Sequence, residues 1–362
     1  MSMKELRLMK GNEAFAEAAI RAGADGYFGY PITPQSEVME YLMAEKPHER
    51  TGMVVLQAES EIAAINMVYA GAACGKRVLT SSSSPGISLK QEGISYIAGA
   101  ELPCVILNAV RGGPGLGTIQ PSQSDYFQST KGGGHGDYRL IVLAPSSVQE
   151  MADFASLSFD LAFKYRNPVL ILSDGAIGQM MEKVYLDGQK PRFTEEEIIR
   201  NTPWATTGKT ANRERNIITS LNLDSHVQEE HNIHLQAKYR EIEKNEVRYE
   251  AFQCEDADYV IVAYGSGARL SQKAIDLARA KGIKVGLLRP ITLFPFPKAP
   301  LAELANRVKG FMTVEMSAGQ MIEDVKLAID CKVRVEHFGR MGGIIPSPQE
   351  IVEALESKLI GG

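Results

Sequence analysis

The sequence predicts an α/β protein of two doubly wound domains, each a mostly parallel sheet covered on both faces. Three observations lead there. Short apolar runs alternate with helical stretches from residue 1 to about 182. The stretch 183–255 is charged and proline-punctuated, and the alternation resumes at 256. With 362 residues, 44% of them hydrophobic, the chain can form two or three domains with sizeable cores.

The elements follow in order. "YPITP" stands where an apolar strand hands over to a helix, and predicts Thr33 as N-cap with Pro34 as the first helical residue. "MVVLQ" (53–57) reads as a buried strand, followed by the alanine-rich helix "EIAAINMVYAGAACG" (61–75). "KRVLT" (76–80), "PCVILNAV" (103–110), "LIVLAP" (140–145) and "PVLILSD" (168–174) read as further strands, with a long helix near 147–165. Residues 183–255 read as a connector with one exposed helix, whose surface suits a partner. In 256–362, "DADYVIVAYGSG" is a strand entering a glycine turn, and "IKVGLLRP", "GFMTVEMS" and "KVRVEHFGR" are strands interleaved with helices.

Composition excludes several classes. Thirty-nine basic and 44 acidic residues leave a net charge of −5, with no nucleic-acid footprint and no polybasic membrane patch. No segment reaches the roughly 18 apolar residues of a membrane span, and the N-terminus lacks a signal core. The four cysteines, Cys74, Cys104, Cys254 and Cys331, show no CxxC spacing, so local sequence builds neither a zinc nor an iron–sulfur site. They are expected to be reduced, mostly buried thiols in a cytoplasmic protein.

Chemistry-bearing residues cluster at strand ends. Glu59 and Glu61 sit where a strand meets a helix, which also suits simple acid–dipole pairing. "TSSSSPGIS" can line a polar pocket or cap a helix. Arg111 ends a buried strand before a glycine-rich loop, where open α/β sheets bind ligands and where its fork suits a carboxylate or phosphate; a surface ion pair is the plainer alternative. His135 in "KGGGHGDYR" is either an acid–base group or a loop histidine. "YGSGARL" is a weak phosphate-loop echo, more often a tight connection.

Taken in order, "YPITP", "QAESE", "TSSSSPGISLKQEGISYIAGAELP", "RGGPGLG" and "GGGHGDY" resemble the alpha (core) subunit of 2-oxoacid:ferredoxin oxidoreductases, of the branched-chain (2-oxoisovalerate) or 2-oxoglutarate type. The resemblance covers nearly the whole chain. It implies a thiamine-enzyme pyrimidine-binding domain followed by a smaller transketolase C-terminal-like domain. It implies oxidative decarboxylation of a 2-oxoacid to an acyl-CoA and CO2, with thiamine diphosphate as cofactor, coenzyme A as co-substrate and reduction of ferredoxin. By resemblance Glu61 contacts the cofactor's pyrimidine as the catalytic acid, with Glu59 as alternative. Pro31 adjoins the cofactor, and Thr33 and Arg111 hold the substrate carboxylate. No Gly-Asp-Gly segment occurs, so the resemblance places magnesium and the diphosphate on a beta subunit and the iron–sulfur clusters on another partner chain. The residues alone also suit a non-redox thiamine-dependent decarboxylase, a transketolase-like half-subunit, or a scaffold without activity.

Overall fold

The computed structural model describes residues 4–209 and 213–361. The first part runs β1 (Glu5–Lys10), α1 (Gly11–Arg21), β2 (Gly26–Gly29), α2 (Ser36–Glu45), α3 (Pro47–Thr51), β3 (Val54–Gln57), α4 (Glu61–Ala73) and β4 (Val78–Ser82). It continues with α5 (Ser84–Gly99), β5 (Val105–Val110), α6 (Tyr126–Thr130), β6 (Ile141–Leu143), α7 (Val148–Tyr165), β7 (Val169–Asp174) and α8 (Gly175–Gln179). Then come β8 (Met181–Leu186), α9 (Glu195–Asn201), α10 (Ser225–Asn245) and β9 (Tyr249–Phe252). The last part holds β10 (Tyr259–Ala263), α11 (Gly265–Ala280), β11 (Val285–Pro290), β12 (Thr292–Phe294), α12 (Lys298–Leu304), β13 (Gly310–Glu315), α13 (Met321–Ala328), β14 (Arg334–Gly339) and α14 (Pro348–Ala354).

A seven-stranded sheet has the order β12-β6-β7-β5-β4-β2-β3, parallel except where β12 meets β6. A five-stranded sheet has the order β14-β13-β10-β11-β9, parallel except for β9. β1 and β8 form a separate antiparallel ribbon. Central strands β5 and β7 are buried along their whole length, as their continuous apolar runs require for a sheet covered on both faces. The short strand β12 follows β11 of the second sheet but joins the first, so the chain laces the two sheets together.

Three local expectations need correction. Helix α2 starts at Ser36, not Pro34, and its N-cap position is Gln35. The Gln35 N–H donates to Ile32 O at 3.0 Å, closing a turn around the cis Thr33–Pro34 bond, so Thr33 belongs to that turn and not to the cap. Strand β3 is not buried: it is an edge strand with Val54, Leu56 and Gln57 exposed. Only two cysteines, Cys104 and Cys254, are buried, while Cys74 and Cys331 are exposed.

The glycine turn of "YGSGARL" also has a definite occupant. The fully buried Asp174 carboxylate, at the end of β7, accepts from Ser266 N (2.8 Å) and Ser266 Oγ (2.6 Å) at the start of α11. It also accepts from Ile177 N (3.2 Å), capping α8, and from Gln123 Nε2 (3.4 Å). A carboxylate from the first sheet thus fills the helix N-terminus of the second. Gly265 has φ +54°, and a Cβ there would lie 2.5 Å from Asp174 Oδ2, so glycine is required. Gln123 adds Nε2–H···O to Tyr264 (2.9 Å), and its Oε1 accepts from Met316 N (3.0 Å). Arg289 on β11, also buried, donates to both Glu150 oxygens on α7 at 2.8 and 2.6 Å.

Asp174→Ala should lower the stability of the full chain by about 2–4 kcal/mol, since it leaves several buried donors unpaired. Urea unfolding followed by circular dichroism reads this, and Ser266→Ala should give a smaller loss of the same sign.

Candidate active site

Parallel strands deliver their following loops to one edge of the sheet. At the carboxyl ends of β2, β3, β4 and β5 stand Tyr30–Thr33, Glu59–Glu61, Ser82–Gly86 and Arg111. Ser82 is in register with Asn108 of the neighbouring strand.

Glu61 opens α4 and is buried, whereas Glu59 is exposed and accepts a hydrogen bond from Ser60 Oγ at 2.8 Å. Ser60 caps α4 through Ala63 N. The Glu61 carboxylate lies against Gly86 in the first turn of α5. A Cβ on Gly86 would stand 2.8 Å from Glu61 Oε1 and 2.1 Å from Ser82 Oγ, so glycine keeps this cradle open. The serine run does not cap α5: Ser83, at the N-cap position, makes no side-chain capping bond. The Ser82 and Ser83 hydroxyls are buried without a hydrogen-bond partner among the described residues. Ser81 instead donates to Gln35 Oε1 (2.5 Å) and lies 2.8 Å from the Tyr27 hydroxyl.

The structure brings Arg111 and Thr33 together, through main chain. Buried Arg111 donates from Nη1 to Thr33 O (3.0 Å) and from Nη2 to Leu116 O (3.2 Å), and its Nε has no partner among the described residues. Its fork therefore ties the proline turn to the glycine-rich loop, an arrangement that residue types could not show. Ser84 Oγ braces the same position, accepting from Arg111 N (3.1 Å) and donating to Arg111 O (3.2 Å). Thr33 and Pro31 are exposed. Thr33 borders a cavity of about 540 Å³ with Glu37, Glu40 and Gln120. On the other side of the loop, Ser84, Gly113, Asp125, Gln128, Ser317 and Gln320 help enclose a cavity of about 520 Å³ between the two sheets' loops. Among the described residues no lysine, arginine or histidine lines either cavity.

Two residues were missed by sequence reasoning. Asp125 accepts from Asn108 Nδ2 at 2.9 Å, and burial raises its pKa above the ordinary carboxylate range. Lys90 on α5 is fully buried, its Nζ 2.8 Å from Thr80 Oγ1. Burial pushes the Lys90 ammonium down to about 8, with the Glu61 carboxylate opposing the shift. Nothing in its neighbourhood marked it: Lys90 stands in "SLKQEG", beside Gln91 and Glu92, as a solvated lysine would. His135 lies apart: it is exposed and packs edge-on against Tyr96 at 6.0 Å. Tyr96 is ten residues along α5 from Gly86, about 15 Å away on the helix axis.

Residues 17–251 match the family model "Pyruvate flavodoxin/ferredoxin oxidoreductase, thiamine diP-bdg". The chain belongs to the 2-oxoacid:ferredoxin oxidoreductase family. Residues 257–351 of this oxidoreductase subunit match "Pyruvate:ferredoxin oxidoreductase core domain II". It is 52% identical to the ketoisovalerate oxidoreductase subunit VorB of Methanothermobacter thermautotrophicus, over 96% of this chain and 97% of the relative. It is 35% identical to the 2-oxoglutarate synthase subunit KorA of Archaeoglobus fulgidus, covering 98% of this chain and all of that one. Among solved structures it resembles a 2-oxoglutarate:ferredoxin oxidoreductase from Magnetococcus marinus with 2-oxoglutarate, coenzyme A and succinyl-CoA bound (TM-score 0.82, 26% identity). That match covers 98% of this chain and 65% of the longer one. A split-gene transketolase shares the fold at 12% identity, with a TM-score of 0.59 over 99% of both chains. Among the described residues no helix is long and apolar enough to cross a membrane.

Lys90 makes stability depend on pH. Its folded pKa of about 8 lies below the ordinary 10.5, so between those values the unfolded chain holds a proton that the folded chain has released. Stability therefore rises with pH across that window, by about 3 kcal/mol from this group. The difference between wild-type and Lys90→Met unfolding curves from pH 7 to 10.5 should show this rise, with the variant the more stable at pH 7.

Proposed function

We propose that this chain forms half of a thiamine diphosphate site, completed by a beta subunit that holds magnesium and the diphosphate, in an enzyme that oxidises 2-oxoisovalerate-type 2-oxoacids. The observation that carries this reading is the Glu61–Gly86–Ser82 cradle: a buried carboxylate beside unpartnered buried hydroxyls, at the ligand-binding edge of the sheet. A flat nitrogen heterocycle fits such a donor and acceptor set.

The surroundings suit a shared site. Helix α4 is apolar almost all round, yet Ile62 is 51% exposed, and the adjoining edge strand exposes Val54 and Leu56. A helix of that composition is normally covered, so a partner chain over α4 and β3 accounts for both. The absence of a Gly-Asp-Gly segment fits a diphosphate held elsewhere. Ferredoxin as electron acceptor and coenzyme A as co-substrate are in keeping with the name of the solved relative; a cluster-bearing chain and a cytoplasmic setting complete the proposal.

The roles follow from the chemistry. Thiamine diphosphate, when bound, supplies the electron sink for loss of CO2. Glu61 holds a proton at the pyrimidine nitrogen, a task that suits a carboxyl shielded from water. Pro31 shapes the cofactor's approach. Thr33 and Arg111 orient the substrate carboxylate, Arg111 both as the nearby positive charge and by fixing the turn that presents Thr33. The higher identity to the ketoisovalerate subunit than to the 2-oxoglutarate synthase subunit favours a branched, neutral substrate side chain over 2-oxoglutarate.

A substrate panel on the complex co-expressed with its partner chains tests the specificity. The kcat/KM for 2-oxoisovalerate should exceed that for 2-oxoglutarate by more than about tenfold, and equal values would overturn the assignment. Glu61→Gln should assemble normally and lose about 10²- to 10⁴-fold in kcat; normal turnover would remove its role. Arg111→Ala should raise KM for the 2-oxoacid by about tenfold or more while leaving KM for coenzyme A unchanged, and equal losses for both would count against the carboxylate assignment.

A further inference from the structure

The loop that follows β14 is held at both ends by one carboxylate. Glu350, in the first turn of α14, accepts from Arg340 Nη1 (2.6 Å) where the loop begins and from Ser347 N (2.8 Å) where it ends. The residues between them, "MGGIIP" (341–346), reach across to the first sheet. Main chain there packs directly on main chain. A Cβ on Gly112 would stand 3.0 Å from Gly342 C and 3.1 Å from Gly343 N. A Cβ on Gly343, whose φ is +95°, would stand 2.4 Å from Gln120 Cβ. Glycine on both sides of the contact is what lets this loop seat on the glycine-rich loop after Arg111.

Seated in this way, the loop carries Ile345 to the cavity of about 540 Å³ that Thr33 borders. Ile119, from the glycine-rich loop, lines the same cavity. Ile119 and Ile345 remain 58% and 45% exposed there. Each is β-branched and stiff at its first torsion, so it presents a fixed apolar surface to whatever enters. The acids bordering the cavity stand on α2. Glu37 is already held by Asn12 Nδ2 (3.2 Å), Gln179 Nε2 (2.9 Å) and Lys10 Nζ (3.4 Å), while Glu40 is exposed.

We propose that Ile345 is a specificity-determining residue: through this loop the second domain supplies an apolar wall for the branched side chain of the 2-oxoacid, while Thr33 in the same cavity meets its carboxylate. This rests on the role given to Thr33 above. It gives the second domain a direct part in choosing the substrate, although Pro31, Thr33, Glu61 and Arg111 all belong to the first.

The test uses the complex co-expressed with its partner chains. It is assayed with 2-oxoisovalerate and with pyruvate, whose methyl group has little to gain from the wall, and assembly is followed by size-exclusion chromatography. In Ile345→Ala the ratio of kcat/KM for 2-oxoisovalerate to that for pyruvate should fall by about tenfold. The fall should come from KM for 2-oxoisovalerate, with KM for coenzyme A and assembly unchanged. Ile345→Val keeps the branch and should recover most of the ratio. Gly343→Ala touches no substrate but forces the loop away from Gln120, and should lower the ratio in the same direction. Should that variant fail to assemble, the two Ile345 variants decide the matter by themselves. An unmoved ratio in Ile345→Ala, or an equal loss for both 2-oxoacids, overturns the proposal. Thr33→Ala separates it from the reading beneath, since that variant should raise KM for both 2-oxoacids alike. If it does so while Ile345→Ala leaves the ratio unmoved, the cavity takes the substrate and the wall lies elsewhere. If Thr33→Ala leaves both KM values unchanged, the reading of Thr33 itself has failed.

Discussion

The buried carboxylate of Asp174 joins the two sheets, and the site's geometry depends on that join. It ends β7 of one sheet while accepting from the first turn of α11 beside the other. Burial raises its pKa, and the Ser266 hydroxyl and N–H, with Ile177 N and Gln123, oppose the shift. Gln123, in the segment leading from Arg111 to α6, binds two loops of the second sheet at once, through Tyr264 O and Met316 N. One wall of the cavity between the two sheets' loops, Met316 to Gln320, is thereby set against the other, which holds Ser84 and Asp125. Neither sheet alone would define that cavity.

A second constraint is incompleteness. The sheet edge gathers Glu61, Ser82, Arg111 and Thr33, but α4 and β3 beside them keep apolar surface in water. Proteins rarely leave such contiguous surface exposed without a use, and an edge strand such as β3 invites covering. The same feature explains why local sequence misjudged β3. "MVVLQ" has the composition of a buried strand, and its burial would have to come from another chain.

The parallel architecture and the position of each candidate residue at a strand end were legible, since both follow from periodicity of two and 3.6 along short windows. The start of α2 was not. Thr-Pro is the ordinary signature of a cap followed by the first helical residue, yet here the pair forms a turn closed by Gln35 N to Ile32 O. The glycine turn of "YGSGARL" carried the right signal of an anion at a helix N-terminus, with a side chain of this same chain as the anion.

By itself the sequence determined the alternation of strands and helices and most of the central strands, and that acids, serines and an arginine stand where they emerge, because these features depend on neighbours within a few residues. Tertiary structure alone decided that Glu61 is buried and Glu59 exposed, and that the Arg111 fork binds two backbone carbonyls. It alone decided that Asp174 occupies the start of α11 and that Lys90 is sealed inside the protein against Thr80. Each of those outcomes turns on groups brought together from distant parts of the chain, where burial removes the water that would otherwise screen and solvate them.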